Sequence, residues 1–130
     1  ILNVGPDRHG EITPLVQERL LEVGKWLDKV GDAVYSTRGG PWNPKDGQYG
    51  FTYKDNKIFV YLFSDFAADS FTLPALNEGQ IATKAYVVSD GTPVVMTQNN
   101  QREVKLSGIR LSDKTVTILA VELNKNVIGQ

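Results

Sequence analysis

The sequence has no cysteine and one histidine, His9. The first absence excludes disulfides, cysteine-ligated zinc, iron–sulfur clusters and thiol catalysis. The second leaves a Ser-His-Asp triad or a histidine-rich metal site a single residue to draw on. Neither charge is in excess: 14 Lys+Arg stand against 15 Asp+Glu, a formal net charge of −1. Such a chain lacks the basic footprint that a phosphate backbone requires, so nucleic acid is not an expected partner. There is no run of about 18 apolar residues, so no helical membrane span, and no membrane partner, is expected. His9 has no second ligand near it in sequence, and Asp7/Glu11 and Asp65/Asp69 lack the spacing of a calcium loop. No metal and no cofactor is therefore expected.

What remains is 130 residues, 41% hydrophobic and 22% charged. That is enough for one domain that buries about two-thirds of its unfolded surface. The chain opens Ile1-Leu2-Asn3-Val4-Gly5-Pro6, without Met and inside what reads as a buried strand. Natural termini are usually polar and frayed, so the expectation is a piece of a larger protein.

One helix is expected over 14–30. Thr13 suits the N-cap and Pro14 the first helical position. Val16, Leu20, Val23, Leu27 and Val30 are spaced 4, 3, 4, 3 on one face, and Leu21 and Trp26 widen that stripe. Gln17, Glu18, Glu22, Lys25 and Asp28 fall off it and should meet solvent. Gly31 is placed to end the helix in a left-handed conformation. Beyond it the pattern is strands and turns. Residues 35–48 read as a connector, and strands are expected over 51–53, 57–63, 70–73, 81–88, 93–98, 102–106 and 115–123. Asp55-Asn56 makes a two-residue hairpin turn, and Asp90-Gly91, Asn99-Asn100 and Ser112-Asp113 mark further turns. Short strands at this spacing suggest an antiparallel β-sandwich. A lone strand and helix cannot bury the stripe, which must pack on the outside of the sandwich or against a neighbouring α/β layer.

Residues 2–7 (LNVGPD), then Gly10-Glu11-Ile12, the helix segment 20–27 (LLEVGKWL) and 31–38 (GDAVYSTR) resemble the end of the catalytic barrel in α-L-fucosidases, glycoside hydrolase family 29. In that family a segment like LLNVGPD-G-I runs into a helix ending GxWLxxxGEAIYGTR. Gly39-Gly40-Pro41-Trp42 is similar to a continuation in some bacterial members, and 58–62 with 73–76 is similar to the family's C-terminal sandwich. Asp32 and Ser36 depart from the family's Glu and Gly.

The resemblance implies a mainly β chain: an antiparallel β-sandwich preceded by a strand–helix remnant of a (β/α)8-like barrel. Residues 1–31 would be the last βα unit of the barrel and 32–130 the C-terminal sandwich. It implies a parent that removes terminal α-L-fucose, a periplasmic or extracellular setting, and as partners the upstream barrel of the same polypeptide and, through it, a fucosylated glycan. The family's two catalytic carboxylates lie upstream, so no catalytic residue is expected here. Asn3, Asp7, Arg8 and His9 follow the last barrel strand, on the face where barrel active sites form, so they read either as substrate rim or as turn chemistry. Trp42 reads either as a sugar-stacking residue or as an anchor in the barrel–sandwich seam. The aromatic cluster Tyr49, Phe51, Tyr53, Phe59, Tyr61, Phe63, Phe66 and Phe71 reads as core, because its central strand is apolar on both sides. If instead it were an exposed platform, the chain would be a free-standing carbohydrate-binding sandwich. An uncovered helix stripe would also favour self-association.

Overall fold

A computed structural model describes residues 5–63, 69–109 and 116–128. The strand expected at the N-terminus, Asn3, Asp65, Phe66 and the Ser112-Asp113 turn lie outside the described residues.

The helix α1 spans Pro14–Val34, four residues longer than the pattern suggested. Thr13 does take the N-cap, with extended backbone, but its side chain makes no capping bond. Gly31 does not stop the helix. It stays helical, and its carbonyl accepts the N–H of Tyr35, the residue that follows the last turn. The left-handed residue comes later, at Ser36 with φ 60°.

Eight strands follow among the described residues: β1 Arg38–Gly39, β2 Tyr49–Lys54, β3 Lys57–Leu62, β4 Ser70–Thr72, β5 Ala82–Val87, β6 Val95–Gln98, β7 Val104–Ser107 and β8 Thr117–Leu123. They form a five-stranded sheet in the order β1-β2-β3-β8-β5 and a three-stranded sheet in the order β4-β7-β6. The strand pairings are antiparallel. Asp55-Asn56 closes the β2–β3 hairpin, with Lys54 opposite Lys57 and Asp55 at φ 53°. Short aspartate side chains tolerate that conformation.

The two sheets enclose the main core. Ile58, Val60 and Leu62 of β3 meet Leu119, Val121 and Leu123 of β8, and the second sheet contributes Phe71, Val104 and Leu106. The opposite faces of β3 and β8 are also dry. Phe59, Ile118 and Ala120 form a second core with Val30 and Ala33 of α1. Strands buried on both faces read as continuous apolar runs, which is why β3 is written KIFVYL and β8 TILAVEL. Aromatic residues fill both layers: Phe51 and Phe71 are buried in the first, Phe59 in the second, and Tyr49, Tyr53 and Tyr61 are half-buried.

A third device ties the C-terminal segment down. Gln80 is buried in what reads as a loop. Its amide nitrogen donates to the Asn126 and Val127 carbonyls at 3.0 and 2.9 Å, and its side-chain oxygen accepts the N–H of Asn77 at 2.9 Å.

Candidate functional site

The junction between α1 and the large sheet carries the most specific side-chain chemistry. A helix ends with four carbonyls lacking intrahelical partners. Here the Ala33 carbonyl accepts the Tyr61 hydroxyl of β3 and, at 3.1 Å, the Thr52 hydroxyl of β2. The Val34 carbonyl accepts the Thr37 hydroxyl at 2.9 Å. Tyr61 and Thr52 are diagonal neighbours on paired strands, and the Tyr61 oxygen, 3.2 Å away, is the alternative acceptor for the Thr52 hydroxyl. Burial pushes the Tyr61 phenol above its ordinary pKa, and the bond with Thr52 pulls the other way. The pair keeps the helix in register on the sheet while Trp26, Val30 and Ala33 pack beneath it.

A helix turns about 100° per residue, so Trp26, Val30 and Ala33 make one stripe. Val16, Leu20, Val23 and Leu27 make a second, about 80° round the axis from it. The second stripe enters neither core. Val23 is 44% exposed while Val16, Leu20 and Leu27 are half-buried; off that stripe, Leu15 and Leu21 are 62% and 66% exposed. Leu21 therefore does not widen the buried stripe, whereas Trp26 does. The helix serves the sandwich with one side of its last turns and leaves the second stripe outside both cores.

The loop before the helix folds on itself. One Asp7 carboxylate oxygen accepts the N–H of His9 at 2.8 Å and of Glu11 at 3.0 Å. The Asp7 N–H donates to the Glu11 carbonyl, and Gly10 donates back to the Asp7 carbonyl with φ 79°. That carboxylate spends its acceptors on its own turn. Arg8 and His9 are exposed, and their side chains form no hydrogen bond or ion pair among the described residues. A helix of 21 residues is about 30 Å long, so this loop lies far from the Ala33 junction.

Trp42 goes elsewhere. Past the cis Gly40–Pro41 bond, its ring meets Phe51 edge-on, with centroids 5.2 Å apart. Phe51 touches Tyr49 at 5.5 Å and Tyr49 touches Phe71 at 4.9 Å, so the contacts run into the inter-sheet core. The structure thus groups Asp7, Arg8 and His9, and sets Trp42 against the sandwich. Among the described residues no group of three His, Asp or Glu side chains could hold a metal ion. Thr52, which fastens the helix, was not distinguishable by sequence. Its signal is its parity with Lys54 on the helix-side face of β2, readable only once the register is known.

No protein-family profile matches the chain. Tissue α-L-fucosidase from Bos taurus is 43% identical over 61 residues, covering 47% of this chain and 13% of that protein. Among solved structures, α-L-fucosidase isoenzyme 1 from Paenibacillus thiaminolyticus superposes with a TM-score of 0.78 at 26% identity, over 96% of this chain and 30% of its own. The chain is similar to the C-terminal part of the α-L-fucosidases. The α-L-fucosidase GH29 from Bacteroides thetaiotaomicron shares the fold, with a TM-score of 0.76 at 18% identity over 95% of this chain and 28% of its own. The expected mainly β architecture with one helix is the one observed, and it matches the C-terminal β-sandwich of these glycoside hydrolases. The chain spans about an eighth of the length of the curated fucosidase and under a third of each solved one.

Proposed function

We propose that this chain is the C-terminal, structural portion of an exo-acting α-L-fucosidase that hydrolyses terminal α-L-fucose. In this reading residues 1–31 are the last βα unit of the catalytic barrel and 32–130 the sandwich that supports it, although the helix itself runs on to Val34. The observation that carries the reading is the two-sided helix. One stripe is fastened to the sandwich through Ala33, Tyr61 and Thr52, and the second, Val16 to Leu27, is left for another layer. The barrel of the same polypeptide is the occupant that fits, because α1 would be its last helix. The loop of Asp7, Arg8 and His9 would then sit at the rim, with Arg8 and His9 free to meet substrate and Asp7 holding the turn.

Catalysis is assigned upstream. A retaining glycosidase needs two carboxyl groups about 5–5.5 Å apart, one of them with a raised pKa. Asp90 is shifted the other way: the N–H of Thr92 holds its carboxyl below the usual range. The isolated chain should give no turnover of an aryl α-L-fucoside. Release of the aryl group above a buffer control would show that the carboxylates are here after all.

A further inference from the structure

The dipeptide Asp-Gly occurs twice, at Asp46-Gly47 and Asp90-Gly91, and both copies are exposed. An aspartate before glycine can react with its own backbone, because glycine has no Cβ to shield its nitrogen. That nitrogen attacks the side-chain carboxyl carbon. A C–N bond forms, and the carboxyl hydroxyl leaves with the amide proton as water. A second water then opens the cyclic imide. Opening at the main-chain carbonyl breaks the original peptide bond and leaves the chain running through the side chain, as isoaspartate. Mass and charge are unchanged, and no oxidant or cofactor enters. The reaction needs an unpaired glycine nitrogen and a protonated carboxyl group free to approach it.

The two copies differ in these requirements. At Asp90-Gly91 the Gly91 N–H donates to the Val87 carbonyl at 2.7 Å, and Asp90 Oδ1 accepts the Thr92 N–H at 2.9 Å. The bond from Thr92 also holds the Asp90 carboxyl below its usual pKa, and the ionised form has no hydroxyl to lose. At Asp46-Gly47 the turn is closed by the Gln48 N–H, which donates to the Lys45 carbonyl at 3.0 Å, with Gly47 at φ 72°. The peptide between Asp46 and Gly47 is the central one of that turn, and such a closing bond leaves its N–H unpaired. Neither the Gly47 N–H nor the Asp46 carboxylate forms a hydrogen bond among the described residues.

We propose that Asp46-Gly47 is a site of spontaneous isoaspartate formation and that the fold shields Asp90-Gly91 from the same reaction. The product changes the entry to the sandwich. A methylene added to the backbone at Asp46 disturbs the bridge between Lys45 and Tyr49. Tyr49 in turn sets its ring against Phe51 and Phe71. The chemistry is local, so it holds whatever the parent enzyme hydrolyses.

The test ages the 130-residue chain at neutral pH, once folded and once in urea. Peptide mapping with electron-transfer fragmentation then distinguishes isoaspartate from aspartate at equal mass. In urea both pairs should convert at similar rates. In the folded chain Asp46 should convert at least about tenfold faster than Asp90, where hydrogen bonds must open first. The Tyr49 amide resonance should move as the Asp46 product forms. Asp46→Glu, whose longer side chain closes the ring poorly, should lose that product and keep Tyr49 in place. Equal folded-state rates at the two pairs, an Asp46 that survives in the folded chain while urea converts it, or a Tyr49 amide that does not move would each overturn the proposal.

Discussion

The β3–β8 pair and the first half of α1 are both written in apolar residues, yet only the strands are dry. Ile58, Val60, Leu62, Leu119 and Val121 are fully enclosed on the inter-sheet side, and Phe59, Ile118 and Ala120 on the helix side. Leu15, Leu21 and Val23 are more than two-fifths exposed. The difference lies in how many neighbours each element has. A central strand has a second sheet on one face and α1 on the other. The helix has the sheet beneath its last turns and nothing described beside its first ones. Apolar periodicity reports that a residue is meant to be covered, but it does not say by what. In this chain the same pattern marks a finished core and a stripe that enters neither core.

Substitutions should separate the two regions sharply. Leu119→Ala, on the β8 face against the main core, is expected to cost about 3 kcal/mol or more of unfolding free energy. Chemical denaturation would measure it, and a loss below 1 kcal/mol would mean that β8 is not central. The junction should come next. Thr52→Val together with Tyr61→Phe leaves the Ala33 carbonyl without either hydroxyl, at about 1–3 kcal/mol for a buried unpaired acceptor. Either change alone should cost less than half as much, because the other hydroxyl still reaches the same oxygen.

The smallest thermodynamic effect should come from the second stripe. Val23→Ala, on that stripe and 44% exposed, is expected to stay within about 0.5 kcal/mol of the parent, as for other exposed sites. A cost like that of Leu119→Ala would mean that another copy of the chain covers this face, and the midpoint would then depend on protein concentration. The junction should also show in the pH profile. The Tyr61 pKa is raised by burial above the ordinary value of 10.0. The neutral phenol is the form that the fold favours, so its contribution is complete below pH 10 and falls away as pH climbs through the raised value. Tyr61→Phe should flatten that alkaline decline. An unchanged decline would assign it to other groups.

Much of this was legible because strand alternation and turn chemistry are local. Residues 57–63 announce a strand apolar on both faces, and Asp55-Asn56 announces its turn, so β3 falls where expected. What could not be read depends on partners distant in sequence. The two-residue β1 has no pattern of its own and exists because Arg38 pairs with Tyr53 and Gly39 with Thr52. Gly31 is a good local stop signal. Hydroxyls from β2 and β3 hold the helix beyond it to Val34, so tertiary bonds outweigh the local preference. One apolar stripe from Val16 to Val30 was expected, but two are present. Periodicity could not separate the side that meets the sandwich from the side that enters neither core. Of the expected rim residues, Arg8 and His9 are exposed, with no side-chain bond among the described residues to mark a role. Asp7 could be read as a turn former from its place before Gly10.

The most direct test of the two-sided helix is native-state hydrogen exchange along α1. Amides of the last turns, Lys29 to Val34, should exchange only with global unfolding, because tertiary contacts on both their side chains and their carbonyls must break first. Amides of the first turns, Glu18 to Glu22, should exchange at least about a hundredfold faster, by local fraying of a segment with few tertiary contacts. Uniform protection from Glu18 to Val34 would contradict the account, for it would mean that the first half of the helix needs no further layer.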